Sequence, residues 1–184
     1  MNDFNNQIDS HIETIKTLTQ FDQKIDELIL TLKHAIRSNN RIFFCGNGGS
    51  ASDSEHLCAE FIGRFKNNRR PYAAISLNSN IANITCISND YGYDQLFARQ
   101  LEALATKDDI LFMLTTSGNS KNIVEVMNQA KIIGMRTVAF LGKDGGDCKN
   151  LADFEFLIKS NNTARIQECH MFLGHFLCSA VDEI

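Results

Sequence analysis

Arg41-Ile42-Phe43-Phe44-Cys45-Gly46-Asn47-Gly48-Gly49-Ser50-Ala51 is the stretch that decides the fold. A short apolar run ends in a glycine cluster, and a helical pattern follows to about residue 65. That order predicts a strand, a tight loop and a helix, the repeating unit of α/β folds. The glycines let backbone N–H groups approach an anion, and the helix start adds a favourable dipole. Gly46, Gly48 and Ala51 match G-x-G-x-x-A, but no Gly-Lys-Ser/Thr follows, so this is not a Walker A loop. A dinucleotide site would also want an acidic residue at the end of the second strand. The chain has Leu77-Asn78 there, which argues against NAD.

Outward from this unit the alternation continues. Strands are predicted at 72–77, 110–115, 136–141 and 154–158. Helices are predicted at 81–88, 94–105, 120–133 and from about 163 to the C-terminus. Strands separated by helices imply a parallel sheet covered on both faces. Right-handed crossovers then give a three-layer α/β/α sandwich with a five-stranded parallel sheet and a site at the strands' carboxyl ends. Residues 3–37 read as one long amphipathic helix, with Ile8, Ile12, Ile15, Leu18, Phe21, Ile25, Leu28 and Leu32 spaced by three or four. Its length suggests that part of it packs on another subunit. The organisation expected is one domain over 1–184, with helix 1–37 and an α/β core over 38–184.

Composition narrows the function. The 184 residues carry 18 Lys and Arg against 22 Asp and Glu, a formal net charge of −4. A general nucleic-acid or membrane-surface binder would want a basic face. The six cysteines include no C-x-x-C pair, which excludes zinc ribbons and thioredoxin motifs and suggests reduced, mostly buried thiols. There is no signal-peptide pattern and no apolar run near the ~18 residues of a membrane span. The expected location is cytoplasmic, without nucleic-acid or membrane partners.

Two further constellations carry chemistry. Thr115-Thr116-Ser117-Gly118-Asn119-Ser120 places four hydroxyls in six residues just before a helix. A plain N-cap needs one hydroxyl, whereas four plus free helix-start N–H groups make a neutral phosphate cradle. His56 and Glu60, four apart, share one helix face, with Arg64 expected one turn further on. A neutral imidazole and a carboxylate so placed can hold a metal or act as an acid–base pair. The last helix adds Arg165, Gln167, Glu168, His170 and His175, while His11 and His34 are expected to be solvated. Gln167 and His175 are separated by about 12 Å of helical rise. One metal could take both only if the side chains lean together or different subunits supply them.

Together, Gly46-Asn47-Gly48-Gly49-Ser50, His56-x-x-x-Glu60-x-x-x-Arg64, Asn89-Asp90-Tyr91-Gly92, Thr116-Ser117-Gly118-Asn119-Ser120 and Thr163-Ala164-Arg165-Ile166-Gln167-Glu168-x-His170-x-x-x-x-His175 resemble the phosphoheptose isomerases of the sugar isomerase (SIS) domain superfamily. The resemblance spans nearly the whole chain. It implies a homotetramer with sites between subunits, acting on a sugar phosphate. The implied reaction interconverts sedoheptulose 7-phosphate and D-glycero-D-manno-heptose 7-phosphate for surface glycans such as lipopolysaccharide or capsule. It implies one zinc per subunit on His56, Glu60, Gln167 and His175, with Glu60 and His175 as catalytic acid–base residues. The substrate contacts implied are Asn47, Gly48, Gly49, Ser50, Glu60, Arg64, Asn89, Asp90, Thr115, Thr116, Ser117, Ser120 and Gln167. Two departures stand out: Thr115 replaces the usual Ser, and Asn78-Ser79-Asn80 replaces Thr-Thr-Asp, which bears on sugar preference. The alternatives are a non-catalytic SIS binding module of the DnaA initiator-associating type, against which Glu60 and His175 both argue, and an isomerase of another ketose phosphate.

Overall fold

The structure, a computed structural model, describes residues 3–182. Five strands, β1 (Ile42–Gly46), β2 (Ala74–Ser76), β3 (Ile110–Thr115), β4 (Arg136–Gly142) and β5 (Phe154–Ile158), form one sheet in the order β2-β1-β3-β4-β5. Every pairing is parallel, with Ile42 opposite Ile110, Ile110 opposite Arg136 and Val138 opposite Phe154. The helices are α1 (Phe4–Lys16), α2 (Asp22–Arg37), α3 (Gly49–Ile62), α4 (Ile81–Tyr91), α5 (Leu96–Leu104), α6 (Lys121–Ile133) and α7 (Thr163–Val181). This is the expected three-layer sandwich.

Alternate strand residues point to opposite faces, so the sheet divides the core in two. On one side Phe44, Phe112, Phe140 and Phe156 join α2, α3 and α7. Their rings contact in series, with centroids 5.1, 5.8 and 5.6 Å apart. On the other side Phe43, Leu111 and Met113 pack with Phe97 of α5 and Val126 of α6. Burial on both faces explains why the strands read as continuous apolar runs rather than alternating ones. Edge strand β5 is covered by Phe21, whose ring meets Phe156, and by Lys24, whose Nζ donates to the Glu155 carbonyl at 2.7 Å.

Several boundaries differ from the expectations. The long first helix is interrupted by a 3-10 turn at Thr17–Phe21. There the Thr17 and Thr19 hydroxyls donate to the carbonyls of Thr14 and Lys16. Leu18 and Phe21, three apart, both turn into the core, as the threefold repeat of a 3-10 helix allows. Only α2 is well buried. α1 buries no residue fully and leaves Phe4, Ile8 and Ile12 exposed. Helix α3 stops at Ile62 rather than 65, so Arg64 lies beyond it, not on its next turn. β2 is three residues long, α4 continues to Tyr91, and 94–105 resolves into a short 3-10 turn and α5. The expected run of α7 beyond Val181 reaches positions 183–184, outside the described residues.

His34 is exposed, and His11, itself partly exposed, has a partner: its Nδ1 lies 2.8 Å from Glu168 Oε2 on α7. Arg165 donates to the other Glu168 oxygen at 2.6 Å and to the Gln7 carbonyl at 2.6 Å, so α1 is tied to α7 by polar contacts. All six cysteines are free, and all but Cys86 are buried. No helix among the described residues is long and apolar enough to cross a membrane.

Candidate active site

The strand order places β1 and β3 side by side while their following helices lie on opposite faces of the sheet. Loops after such neighbouring strands diverge and leave a crevice at the carboxyl edge. The glycine loop after β1 and the hydroxyl loop after β3 both open there. In the first, a Cβ at Gly46 would run into the Ser50 carbonyl, so glycine lets α3 start hard against the strand. Gly48 sits at φ +59°, a conformation glycine adopts freely. Asn47 and buried Asn122 of α6 exchange amide hydrogen bonds of 2.8 and 3.0 Å, and Tyr93 Oη donates to Asn47 Oδ1 at 2.8 Å. Asn122 thus holds the first loop to the start of α6 and Tyr93 holds it to the 3-10 turn before α5, and the sequence reading missed both.

In the second loop Thr115 Oγ1 accepts from the Gly118 N–H and Ser117 Oγ from the Asn119 N–H. Thr116 is half-buried beside them. Ser120 occupies the N-cap position of α6, yet its side chain makes no capping bond. That leaves its hydroxyl, and the free N–H groups of the first helical turn, for a ligand. Ser50, by contrast, is buried in the first turn of α3.

Helices α3 and α7 lie side by side and run in the same direction. The Gln167 side chain covers Gly49, Gly174 faces Leu57, and His175 meets His56. Any Cβ at Gly174 would collide with the Leu57 side chain, so this glycine permits the close approach. The result joins residues 119 positions apart in the chain. His175 Nε2 is 3.2 Å from His56 Nε2, and His56 Nε2 is 3.3 Å from Glu60 Oε1. One ligand atom from each of His56, Glu60 and His175 lies within 4.8 Å of the others. Two imidazole nitrogens and a carboxylate oxygen are a donor set suited to zinc. Their spacing also matches the roughly 3.3 Å between ligand atoms around a tetrahedral zinc with ~2.05 Å bonds. These three residues therefore fit a metal.

Burial pushes the His175 imidazole below its ordinary pKa, and His56 adds to this while Glu60 opposes it. The ring is accordingly neutral near pH 7, the form that binds metal or accepts a proton. Asp53, one turn before His56, is raised by burial and lowered by His56, and its Oδ2 is buried without a partner.

The remaining candidates are placed apart. Gln167, over Gly49, is about 10 Å along α3 from His56. Within one chain it stands at the glycine-loop end rather than among the other three. Arg64 is exposed beyond α3, its Nη1 3.5 Å from the Lys66 carbonyl. Asn89 and Asp90 are exposed at the end of α4 and bond to each other at 2.7 Å. Asn80, singled out for sugar preference, instead caps α4 by accepting from the Asn83 N–H.

Comparison with known proteins agrees with this fold. The SIS domain family model matches residues 3–142. The phosphoheptose isomerase of Nitratiruptor sp. is 48% identical over 81% of this chain and 80% of its own length. That of Clostridium acetobutylicum is 41% identical over 96% and 92%. The structure of a phosphoheptose isomerase from Francisella tularensis superposes with a TM-score of 0.94 at 33% identity, covering 98% of this chain and 97% of that one. An α/β sandwich that superposes on a phosphoheptose isomerase over nearly its whole length, with curated relatives 41% and 48% identical over most of the chain, leaves one assignment: the chain belongs to the SIS domain family and, within it, to the phosphoheptose isomerases, which are isomerase enzymes.

Proposed function

We propose that the chain interconverts sedoheptulose 7-phosphate and D-glycero-D-manno-heptose 7-phosphate, in the cytoplasm, for surface-glycan heptose synthesis such as that of lipopolysaccharide or capsule. The observation that carries this reading is the convergence of Glu60 and His175 with His56, on the helix that the uncharged glycine loop opens. Aldose–ketose isomerisation needs a base for a carbon-bound proton, a partner that moves a proton at oxygen, and stabilisation of a developing oxyanion. The loop residues Asn47, Gly48, Gly49, Ser50, Thr115, Thr116, Ser117 and Ser120 hold the phosphate and fix the sugar's register. Arg64, Asn89, Asp90 and Gln167 complete the substrate contacts.

Glu60 takes the proton from the carbon next to the carbonyl and returns it to the neighbouring carbon. Neutral His175 accepts the proton of the adjacent hydroxyl and passes it to the carbonyl oxygen, so the net change is a shift of two hydrogens. His56, Glu60 and His175 would hold one zinc per subunit, with Gln167 as the fourth ligand where it is brought within reach. When bound, zinc supplies Lewis-acid polarisation at the sugar's reacting oxygens. The carboxylate has two oxygens, so Oε1 facing His56 leaves the other for the carbon-bound proton.

We further assign the working form to a homotetramer. Support comes from exposed Phe4, Ile8 and Ile12 on α1, and Phe172 and Phe176 on α7. An apolar groove of about 470 Å³ runs between Ile15, Leu18, Ile25, Phe172 and Phe176.

The test is to incubate zinc-loaded protein with sedoheptulose 7-phosphate and follow the aldose product by NMR, with and without a chelator. Product formation, its loss on chelation and recovery with zinc are the expected result. Turnover of a hexulose phosphate alone would overturn the substrate, and a monomeric native mass would overturn the tetramer.

A further inference from the structure

Beneath the His56–Glu60–His175 cluster lies a pair of charges that no motif announced. Arg69 Nε donates to Asp182 Oδ1 at 2.9 Å, with the two side chains only 5% and 1% exposed. We propose that Arg69 and Asp182 are positioning residues: together they clamp the ends of α3 and α7 and so set Glu60 against His175. This rests on the assignment of Glu60 and His175 to the proton transfers.

One arm of the clamp reaches Glu60. Arg69 Nη2 donates to the Glu60 carbonyl at 2.8 Å and Nη1 to the Phe61 carbonyl at 3.0 Å. These are last-turn carbonyls of α3, which lack partners within the helix. A cation there also complements the helix dipole. The guanidinium lies 3.9 Å from the Tyr72 ring centroid, and Tyr72 Oη donates to the Val181 carbonyl at 2.8 Å. The Arg69 fork is thereby fixed between the ends of both helices. Lysine offers one ammonium and cannot reproduce the fork.

The other arm reaches His175. Asp182 Oδ2 accepts the backbone N–H groups of Lys66 and Asn67. Burial alone would raise this carboxyl, but donation from Asn67, Lys66 and Arg69 outweighs it and holds the pKa below its ordinary value. The same segment carries Phe65, whose ring stacks on His175 at 5.5 Å between centroids and 24° between planes. Asp182 therefore fixes the backbone that presses Phe65 on the imidazole. Cys178 lies near Glu60, Arg69 and Asp182, and burial pushes its thiol to about 12, so it adds no charge to the clamp.

The experiment compares the full-length wild type with Arg69→Lys, Asp182→Asn and Phe65→Leu. Cobalt(II) titration read by visible absorption reports the ligand arrangement, kcat and KM are measured with sedoheptulose 7-phosphate, and circular dichroism checks the fold. Arg69→Lys and Asp182→Asn are expected to bind cobalt about 10-fold more weakly or worse, with an altered visible band. Their kcat should fall by about 10-fold or more with KM within about threefold. Phe65→Leu, which leaves the ion pair intact, should move both readouts the same way by less. Folded variants with the wild-type cobalt band, affinity and kcat would overturn the clamp, whatever their melting temperatures. If the ion-pair variants do not fold, Phe65→Leu decides alone, and wild-type values in it overturn the proposal. A wild type that neither binds cobalt nor isomerises the sugar overturns the underlying site assignment instead.

Discussion

The two loops at the carboxyl edge present backbone groups, amides and hydroxyls, whereas the α3–α7 face presents two imidazoles and a carboxylate. Each loop is one contiguous stretch of chain, with its glycines and hydroxyls within a few positions of one another. The α3–α7 face is assembled from residues 119 positions apart, and it exists only because two helices pack closely at Gly174. On the proposed function, the contrast separates binding from chemistry. A phosphate can be cradled by local conformation, so its site needs no basic surface, and the net charge of −4 is no obstacle. Proton transfer needs titratable groups with tuned surroundings, and only tertiary packing supplies those.

The comparison breaks first at Glu60. Glu60→Gln should lower kcat by about 100-fold or more with the fold intact. Near-normal turnover would move the chemistry away from the helix pair.

A second difference lies within α7 itself. His175 opens on the site, whereas His170 is fully buried, with Nε2 3.2 Å from the Leu141 carbonyl and Nδ1 unpartnered. Burial lowers the His170 pKa from its ordinary 6.5 to about 4, against a smaller upward pull from the Leu141 carbonyl. Below pH 6.5 the unfolded chain binds a proton that the folded chain refuses, so stability is lost as pH falls from about 6.5 to about 4. The loss attributable to this residue is about 3 kcal/mol. His170→Gln should flatten that part of the pH dependence in denaturant titrations, and an unchanged slope would show that the burial is not felt.

The smallest effect belongs to the loops. Ser120→Ala should change stability by no more than about 0.5 kcal/mol, because the hydroxyl caps nothing. KM for the sugar phosphate should rise about 3- to 10-fold, the value of one hydrogen bond. A loss of about 1 kcal/mol in stability with KM unchanged would make Ser120 an ordinary cap.

The same division explains what the sequence disclosed. Apolar runs between helical patterns placed all five strands, and glycine and hydroxyl clusters marked both loops, because these signals are local. His56 and Glu60 were visible at helical spacing, and the family resemblance linked them to His175. Arg69 and Asp182 were not visible: each is an ordinary charged residue until the fold brings together positions 113 apart. Asn122 looked like any polar residue in the first turn of a helix, although it is buried against Asn47. The 3-10 turn at Thr17–Phe21 escaped notice because a spacing of three or four over five residues fits either helix type. The His11 contact is invisible in the sequence because its partner, Glu168, lies at the far end of the chain.

The covering of β5 by Phe21 and Lys24 has a consequence for how copies of the chain can meet. A bare edge strand invites another strand to extend the sheet. At one border Lys24 already occupies an edge carbonyl. At the other, β2 is only three residues long and follows soon after Pro71, which has no N–H to offer. Neither border offers a long free ladder, so runaway sheet growth is discouraged.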